Sequence, residues 1–211
     1  ITVKEKGADT LINSTLKTLM EKAKEFNMPK ENVERAIKKG TGELAGENLE
    51  EFSLEGFGPG GIALIIEGIT DNKNRSLGEV KGILAKHQGK MAGEGAVKWL
   101  FERKGLLSVN VEGKEKDETE MELIEAGADD LTWNQGIVEV FTKPEDLEKV
   151  KKTFEEKGFK IESSALGWIA KEEVELPEKE YQVSQKLFEE LDENDSIQDI
   201  YSNLKSKLIN V

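Results

Sequence analysis

The chain of 211 residues contains 30 Lys and Arg, 43 Asp and Glu and no Cys, which gives a formal net charge of -13. The absence of Cys excludes disulfides, thiolate chemistry and cysteine-ligated zinc. No apolar run approaches the roughly 18 residues that a membrane span requires, and no signal-peptide pattern is present, so we expect a soluble, cytoplasmic protein with no membrane partner. Charge is uneven: residues 1–46 hold nine basic and seven acidic groups, whereas the acidic remainder would repel a nucleic-acid backbone.

Two amphipathic helices are predicted at the start of the chain. Between residues 9 and 26 the apolar residues recur at steps of three and four, which indicates one helical stripe. A second helix begins at Pro29, which a first helical position tolerates, and ends at Gly40. Its apolar side carries Val33 and Ile37. Its opposite side is basic and carries Arg35, Lys38 and Lys39.

This basic face has two interpretations. It contacts a polyanion such as nucleic acid, or it is a solvated surface with internal ion pairs one helical turn apart. The pairs predicted by the second interpretation join Glu31 to Arg35 and Glu34 to Lys38. The residues alone leave both interpretations open.

After a glycine-bearing linker at residues 40–51, the sequence predicts two α+β blocks. The first has a strand around residues 52–54, the turn "GFGPGG" and the buried strand "IALIIEGI". A helix with a capping box of Ser76 and Glu79 follows, and then the strand "AVKWLFERKG". The second block runs strand, helix, strand, strand, helix, strand from "GLLSVNV" to "FKIESSALGWIA", with a hairpin turn at residues 134–136. This is the order of a ferredoxin-like sandwich.

The last segment reads strand, helix, strand through "EEVEL", "EKEYQVSQKLFEELDEND" and "SIQDIYSN". Because it is too short to fold alone, we infer that it completes the first α+β block. The predicted fold class is α+β, with an N-terminal helical domain followed by two ferredoxin-like α+β domains, the third inserted into the second. The predicted domains are residues 1–46, residues 47–104 with 171–211, and residues 105–170.

Two motifs are judged structural. "GFGPGG" matches G-x-G-x-x-G, but a strand follows it where a dinucleotide-binding fingerprint needs a helix. A tight turn with glycines at positive φ is favoured over a phosphate-cradling loop. "DENDSIQD" is rejected as a calcium loop because Ile197 stands where glycine is required. No metal ligand set, cofactor site, small-molecule substrate or nucleophile and base pair is readable, so we do not expect an enzyme.

Two groups of polar residues are further candidates for nucleic-acid contact. The turn "TDNKNR" places amides and cations at a predicted helix N-terminus, where they suit phosphates or base edges; Asx turns and helix capping explain them equally well. "LAKHQGK" places the single His near the end of that helix, where C-capping and phosphate contact both fit. The candidates are Asn72, Lys73, Asn74, Arg75, Lys86, His87 and Lys90.

Six segments occur in order along almost the whole chain: "NMPKENVERAIKKGTGE", "EGFGPGG", "TDNKNR", "FERKG", "EAGADD" and "IQDIYSN". They resemble the motifs of the YebC family, which includes bacterial proteins labelled probable transcriptional regulators and a mitochondrial translational activator of cytochrome c oxidase. Family members begin with a basic arm that does not precede Ile1 here, so we expect part of the nucleic-acid-binding surface to be missing. The resemblance implies a helical first domain and two α+β domains, in agreement with the pattern read above.

The resemblance also implies nucleic-acid binding in gene expression, without a catalytic residue. The activity expected first is that of a ribosome-associated translation factor that helps difficult sequences such as proline runs, with ribosomal RNA or the ribosome as partner. A DNA-binding transcriptional regulator is the alternative, and a protein-interaction module without nucleic-acid contact is the second. The residues implied for contact are Lys30, Arg35, Lys38 and Lys39 for phosphate and Asn72, Asn74 and Arg75 in the turn.

Overall fold

The computed structural model describes residues 1–42 and 49–205, with the backbone alone for Glu25, so part of the predicted linker lies outside the described residues. Three helices open the chain: α1 (Thr2–Lys6), α2 (Ser14–Glu25) and α3 (Lys30–Gly40). The later helices are α4 (Lys73–Lys86), α5 (Lys116–Glu125), α6 (Leu147–Glu156) and α7 (Glu178–Asp192). The strands are β1 (Glu50–Phe57), β2 (Ala63–Thr70), β3 (Lys90–Met91), β4 (Phe101–Asn110), β5 (Asp130–Asn134), β6 (Ile137–Thr142), β7 (Lys160–Ala170) and β8 (Ile197–Ser202).

The chain divides into two compact units. The helical unit comprises the described residues of Ile1–Phe52 together with Gly68–Gly78. The sheet unit comprises Ser53–Glu67 and the described residues from Glu79 onward. Each unit is considered by itself below.

A buried Asn holds the first two helices of the helical unit together. Asn13 is 0% exposed, and its Nδ2 donates to the carbonyl oxygens of Thr2 (2.9 Å) and Gly7 (2.8 Å). Its Oδ1 accepts a hydrogen bond from the Leu16 N–H (3.0 Å), so Asn13 also caps α2. These bonds satisfy a side chain whose burial would otherwise be costly.

The helix predicted between residues 9 and 26 begins only at Ser14. Asn13 occupies the N-cap position, and the residues just before it form a turn. Of the predicted apolar stripe, Leu16 is buried, whereas Phe26 is exposed. The apolar periodicity predicts the helix correctly but does not predict the turn that precedes Ser14.

The first sheet of the protein has the strand order β3-β1-β2-β8, and β2 is buried on both faces. Leu64 and Ile66 on one face pack against apolar side chains of α4 and α7. Ala63 and Ile65 on the other face pack in a cluster with Val97. All four β2 side chains are at most 1% exposed, as the uninterrupted apolar run predicts.

The second sheet has the strand order β5-β6-β4-β7 with antiparallel pairing throughout. Helices α5 and α6 supply Leu123 and Phe154 to its apolar core. The hairpin between β5 and β6 turns at Gln135 (φ 43°) and Gly136 (φ 84°), where the sequence predicts it. The sheet has the ferredoxin-like order expected for this block.

Strands β4 to β7 lie in the chain between β3 and β8, so the second sheet is inserted into the segment that forms the first. The predicted α+β fold class is therefore confirmed. The residue boundaries of the three domains remain predictions.

One predicted strand is wrong in its first half, and a second is wrong throughout. "AVKWLFERKG" forms a 3₁₀ turn at Lys98–Leu100 before β4 begins, and the first sheet takes the short strand β3 instead. "EEVEL" makes only an isolated bridge between Val174 and Leu204. Alternating polarity along a segment does not reveal whether its backbone N–H and C=O groups will find a partner strand.

The capping box predicted at Ser76 is also wrong. Helix α4 begins three residues earlier, at Lys73. Ser76 is buried, and its hydroxyl donates to the Thr70 hydroxyl oxygen at 2.8 Å. The serine therefore ties the helix to the end of β2 rather than starting it.

A buried carboxylate on β1 explains the turn that replaces a strand. Glu55 accepts hydrogen bonds from the N–H groups of Gly95 (2.6 Å), Val97 (2.7 Å) and Lys98 (3.1 Å), which are therefore not available to a strand ladder. Burial acts to raise the pKa of Glu55, but the three backbone donors and the Lys98 charge outweigh it and hold the pKa below its ordinary value of 4.5.

Replacement of Gly40 by Ala is expected to destabilise the helical unit. A Cβ at this position would lie 2.7 Å from the Val3 Cβ, so overpacking of about 1–3 kcal/mol outweighs the usual helical gain. Gly82→Ala is the matched control, because Gly82 lies within α4 with open space around it and should gain about 0.5–1 kcal/mol. Urea unfolding followed by circular dichroism measures both, and a stabilised Gly40→Ala protein contradicts the packing.

Replacement of Glu55 by Gln is expected to lower the free energy of unfolding by about 1–3 kcal/mol, because an amide NH₂ then faces buried N–H donors. The lowered pKa means that the ionised carboxylate stabilises the fold above the ordinary pKa and loses this effect as pH falls through the folded-state pKa.

Chemical denaturation at a series of acidic pH values checks the Glu55 prediction. The stability difference between parent and Glu55→Gln should shrink as the pH falls below 4.5. Glu51→Gln, at an exposed position of the same strand, is the control and should change stability by less than about 0.5 kcal/mol. A difference that is independent of pH would show that the charge of Glu55 does not stabilise the turn.

Candidate nucleic-acid interface

Helix α3 exposes all four of its predicted cations. The helix begins after Pro29, which is its N-cap, and its other side is half-buried through Val33 and Ile37. The predicted basic and apolar faces are thereby confirmed. Two cations lie in the last helical turn, where they also interact favourably with the helix dipole. The exposed cations are Lys30, Arg35, Lys38 and Lys39.

The ion pairs predicted within α3 do not form. Glu34 pairs with Lys30 at 3.5 Å instead of with Lys38, and Arg35 makes no pair with Glu31. Lys38 has no carboxylate partner among the residues that the structure describes. Since the Lys30 pair is solvent-exposed, it is worth little, so Lys30 and Lys38 can turn towards a phosphate at small cost.

The turn between β2 and α4 is a capped helix start. The Asn72 Oδ1 accepts a hydrogen bond from the Arg75 N–H (3.1 Å), and the Asn72 N–H donates to the Thr70 hydroxyl oxygen (3.0 Å). Asn72 is thus the N-cap of α4, the structural role that the sequence left open for it. Asn74 in the first turn is exposed.

The two cations of this turn are ion-paired. The Lys73 Nζ lies 3.1 Å from the Glu50 Oε2, and the Arg75 guanidinium pairs with Asp71. All four side chains belong to the helical unit, as does α3. The structure therefore assigns the predicted helix cations and the predicted turn to the same compact unit.

The predicted group at the end of α4 is engaged with α7 inside the sheet unit. The Lys86 Nζ and the His87 Nε2 lie 2.7 and 2.6 Å from the same oxygen, Oε2 of Glu190. The hydrogen bonds from Lys86 and then His87 lower the pKa of Glu190. A phosphate would have to compete with this carboxylate, so Lys86 and His87 are weaker candidates than the cations of α3.

Lys90 lies at a depression beside the glycine turn. Its Nζ is 5.7 Å from the centre of the Phe57 ring, within cation–π range. Gly60 (φ 65°) and Gly61 (φ 82°) adopt the left-handed conformations expected of a tight turn. The cavity that these residues line has a volume of about 480 Å³.

Sequence reasoning overlooked one exposed aromatic residue. The alternating pattern predicts Trp99 in a strand, yet it lies in the 3₁₀ turn Lys98–Leu100 and is 66% exposed. The sequence does carry one signal for an exposed ring: Trp99 follows a Lys and stands shortly after the glycine-bearing segment "AGEGA". Exposure of the ring follows from the turn held by Glu55, which no local pattern predicts.

Comparison with known proteins identifies the family. A model for the N-terminal domain of TACO1/YebC proteins matches residues 1–43, and a model for the TACO1/YebC second and third domain matches residues 49–204. The chain belongs to the TACO1/YebC family. The resemblance inferred from the six sequence segments is confirmed.

Curated relatives of this TACO1/YebC protein carry the name "Probable transcriptional regulatory protein". One from Thermoanaerobacter pseudethanolicus is 41% identical over 203 residues, which cover 96% of this chain and 82% of the relative. One from Pseudothermotoga lettingae is 42% identical over 211 residues, covering 97% of this chain and 81% of the relative. A crystal structure of a conserved hypothetical protein from Aquifex aeolicus matches with a TM-score of 0.90 at 36% identity, covering 100% of this chain and 88% of that one.

Within residues 1–42 and 49–205, no helix combines the length and the apolar character required to cross a membrane.

The two Asn residues of the turn are expected to respond differently to replacement by Ala. Asn72→Ala removes the N-cap of α4 and should lower the free energy of unfolding by about 1 kcal/mol. Asn74→Ala removes an exposed side chain and should change it by less than about 0.5 kcal/mol. Chemical denaturation of both variants measures the difference, and equal effects would contradict the capping role of Asn72.

Proposed function

We propose that this TACO1/YebC protein is a nucleic-acid-binding regulator of gene expression that acts as a ribosome-associated translation factor. The observation that carries the proposal is the exposed basic face of α3, with Lys38 lacking a carboxylate partner among the described residues. Such a face attracts a phosphate backbone electrostatically without need of a preformed pocket.

The charge of the rest of the chain supports a local contact. The protein as a whole carries -13, so an extended nucleic-acid surface would place phosphates against carboxylates. A single basic helix permits contact at one place while the remaining surface repels the backbone. This pattern suits a factor that docks at a defined position on a large ribonucleoprotein better than one that coats a nucleic acid.

The proposed ribosomal target has a different kind of support from the proposed binding face. It rests on the resemblance to a family that includes a mitochondrial translational activator. The exposed cations of α3 can contact the phosphates of RNA and of DNA equally well.

A DNA-binding transcriptional regulator is the second candidate, and two observations favour it. The relatives bear names of transcriptional regulators. In addition, only residues 26–29 separate α2 from the basic helix α3, a connection of the length found in helix-turn-helix motifs.

Reversal of three α3 charges tests the proposed function. The triple change Arg35→Glu, Lys38→Glu and Lys39→Glu is expected to weaken binding to purified ribosomes by at least about tenfold. It should also reduce the slope of log affinity against log salt by about 0.7 for each RNA phosphate that the variant no longer neutralises. Co-sedimentation and fluorescence anisotropy across a salt series, with duplex DNA in parallel, measure both quantities.

The matched control applies the same charge change elsewhere. Lys149→Glu, Lys152→Glu and Lys157→Glu alter three exposed cations of the sheet unit, within α6 and just after it. This variant should retain most of the binding. Ribosome binding that only the α3 variant loses supports the translation role, and tight duplex binding that only the α3 variant loses supports the DNA-binding alternative. Equal binding by parent and α3 variant contradicts both.

A further inference from the structure

We propose that Trp99 is a stacking site for an unpaired nucleobase, so that the sheet unit carries a single-stranded nucleic-acid contact of its own. This inference rests on the proposed nucleic-acid binding and extends it to a second unit and to a specific chemistry.

The first support is that the Trp99 ring is both open and fixed. The side chain is 66% exposed, which is unusual for the largest apolar residue. Its indole N–H nevertheless donates to the Ala96 carbonyl oxygen at 3.0 Å, which restrains the orientation of the ring. A ring held in place while exposed loses little conformational entropy when a flat partner stacks on it.

The second support is the rigidity of the backbone beneath the ring. Glu55 holds the N–H groups of Gly95, Val97 and Lys98 from inside the sheet unit. On the far side of the turn, the Lys171 N–H donates to the Leu100 carbonyl oxygen at 2.9 Å. The Trp99 turn is therefore anchored on both sides, in contrast to a mobile surface loop.

The third support is the charge beside the ring. The Lys171 Nζ donates to the backbone carbonyl oxygen of Trp99 at 2.8 Å, which places a cation at the backbone of the residue that carries the ring. Lys98, the preceding residue, extends its Nζ over the Trp168 ring at 5.8 Å from the ring centre. An exposed aromatic ring with cations anchored at the same turn is a combination with which proteins bind single strands, since the ring stacks on a base and the cations approach the phosphates.

The contacts of the other two Trp residues show why Trp99 is the stacking residue. Trp168 donates through its indole N–H to Glu67 at 2.9 Å and lies 5.0 Å from the Arg103 guanidinium, so its ring is already in use. Trp133 packs against the core of the second sheet. Of the three Trp residues, Trp99 alone is among the exposed large hydrophobic side chains of the described structure.

Duplex nucleic acid does not suit this site. The bases of a duplex are stacked on each other and present only their edges in the grooves, whereas an unpaired base offers its face. We therefore expect selectivity for single strands without strong dependence on sequence, because every base has a face that can stack.

The test compares Trp99→Ala with Trp99→Phe in the full chain. Short oligouridine and oligothymidine strands serve as probes, and a duplex of similar length serves as reference. Trp99→Ala should weaken binding to the single strands by at least about fivefold and leave duplex binding within twofold. Trp99→Phe, which keeps an aromatic face, should restore most of the single-strand affinity.

Intrinsic fluorescence provides a readout that a structural role would not move. Saturation with a single strand should quench the emission of the parent protein, and Trp99→Phe should bind the strand with little of this quenching. Thermal unfolding of both variants should stay close to that of the parent, because the ring and its hydrogen bond to Ala96 are both exposed.

Four outcomes would overturn the inference. Single-strand binding that survives Trp99→Ala unchanged overturns it, as does quenching that persists in Trp99→Phe. Single-strand affinity that is abolished by the α3 charge reversal but unaffected at Trp99 overturns the stacking site alone and leaves the proposed function intact. Absence of any nucleic-acid or ribosome binding by the parent chain overturns both.

Discussion

The burial of β2 on both faces is the constraint on which the rest of the sheet unit depends. Leu64 and Ile66 require a cover on one side, which α4 and α7 provide. Ala63 and Ile65 require a cover on the other, where the start of β4 and the end of β7 contribute Phe101 and Ala170. A strand that is apolar on both sides cannot remain at a surface, so it draws together elements that are far apart in the sequence.

Polar anchors then fix what the apolar contacts bring together. The buried Asn203 accepts a hydrogen bond from the Ala63 N–H at 2.8 Å and so attaches the end of β8 to the start of β2. Glu67 on β2 accepts from the Trp168 indole N–H and from Arg103, which lie on the second sheet. Because unpaired polar groups are costly when buried, these contacts select one arrangement among those that hydrophobic packing would allow.

The same anchors shape the surface available for recognition. Several acidic groups of this acidic protein have internal roles: Glu55 holds the Trp99 turn, and Glu190 engages Lys86 and His87. On α3, by contrast, Lys30 has only a solvent-exposed pair with Glu34, and Lys38 has no carboxylate partner among the described residues. Local pairing, rather than the net charge of -13, therefore decides where a polyanion can be accommodated.

The sequence by itself determined the α+β class, the insertion of one sheet into the segment that forms the other, the ferredoxin-like order and the basic face of α3. These features depend on periodicity and on turn residues such as Gly136, which act over a few positions of the chain. Tertiary structure alone decided that "AVKWLFERKG" begins as a turn, that Asn72 rather than Ser76 starts α4, and that Trp99 is exposed. The turn and the exposure of Trp99 depend on a distant hydrogen-bond partner, Glu55, a carboxylate some forty residues earlier in the chain whose burial no local pattern reveals. At α4 the Thr70 hydroxyl engages the buried Ser76, and Asn72 caps the helix instead.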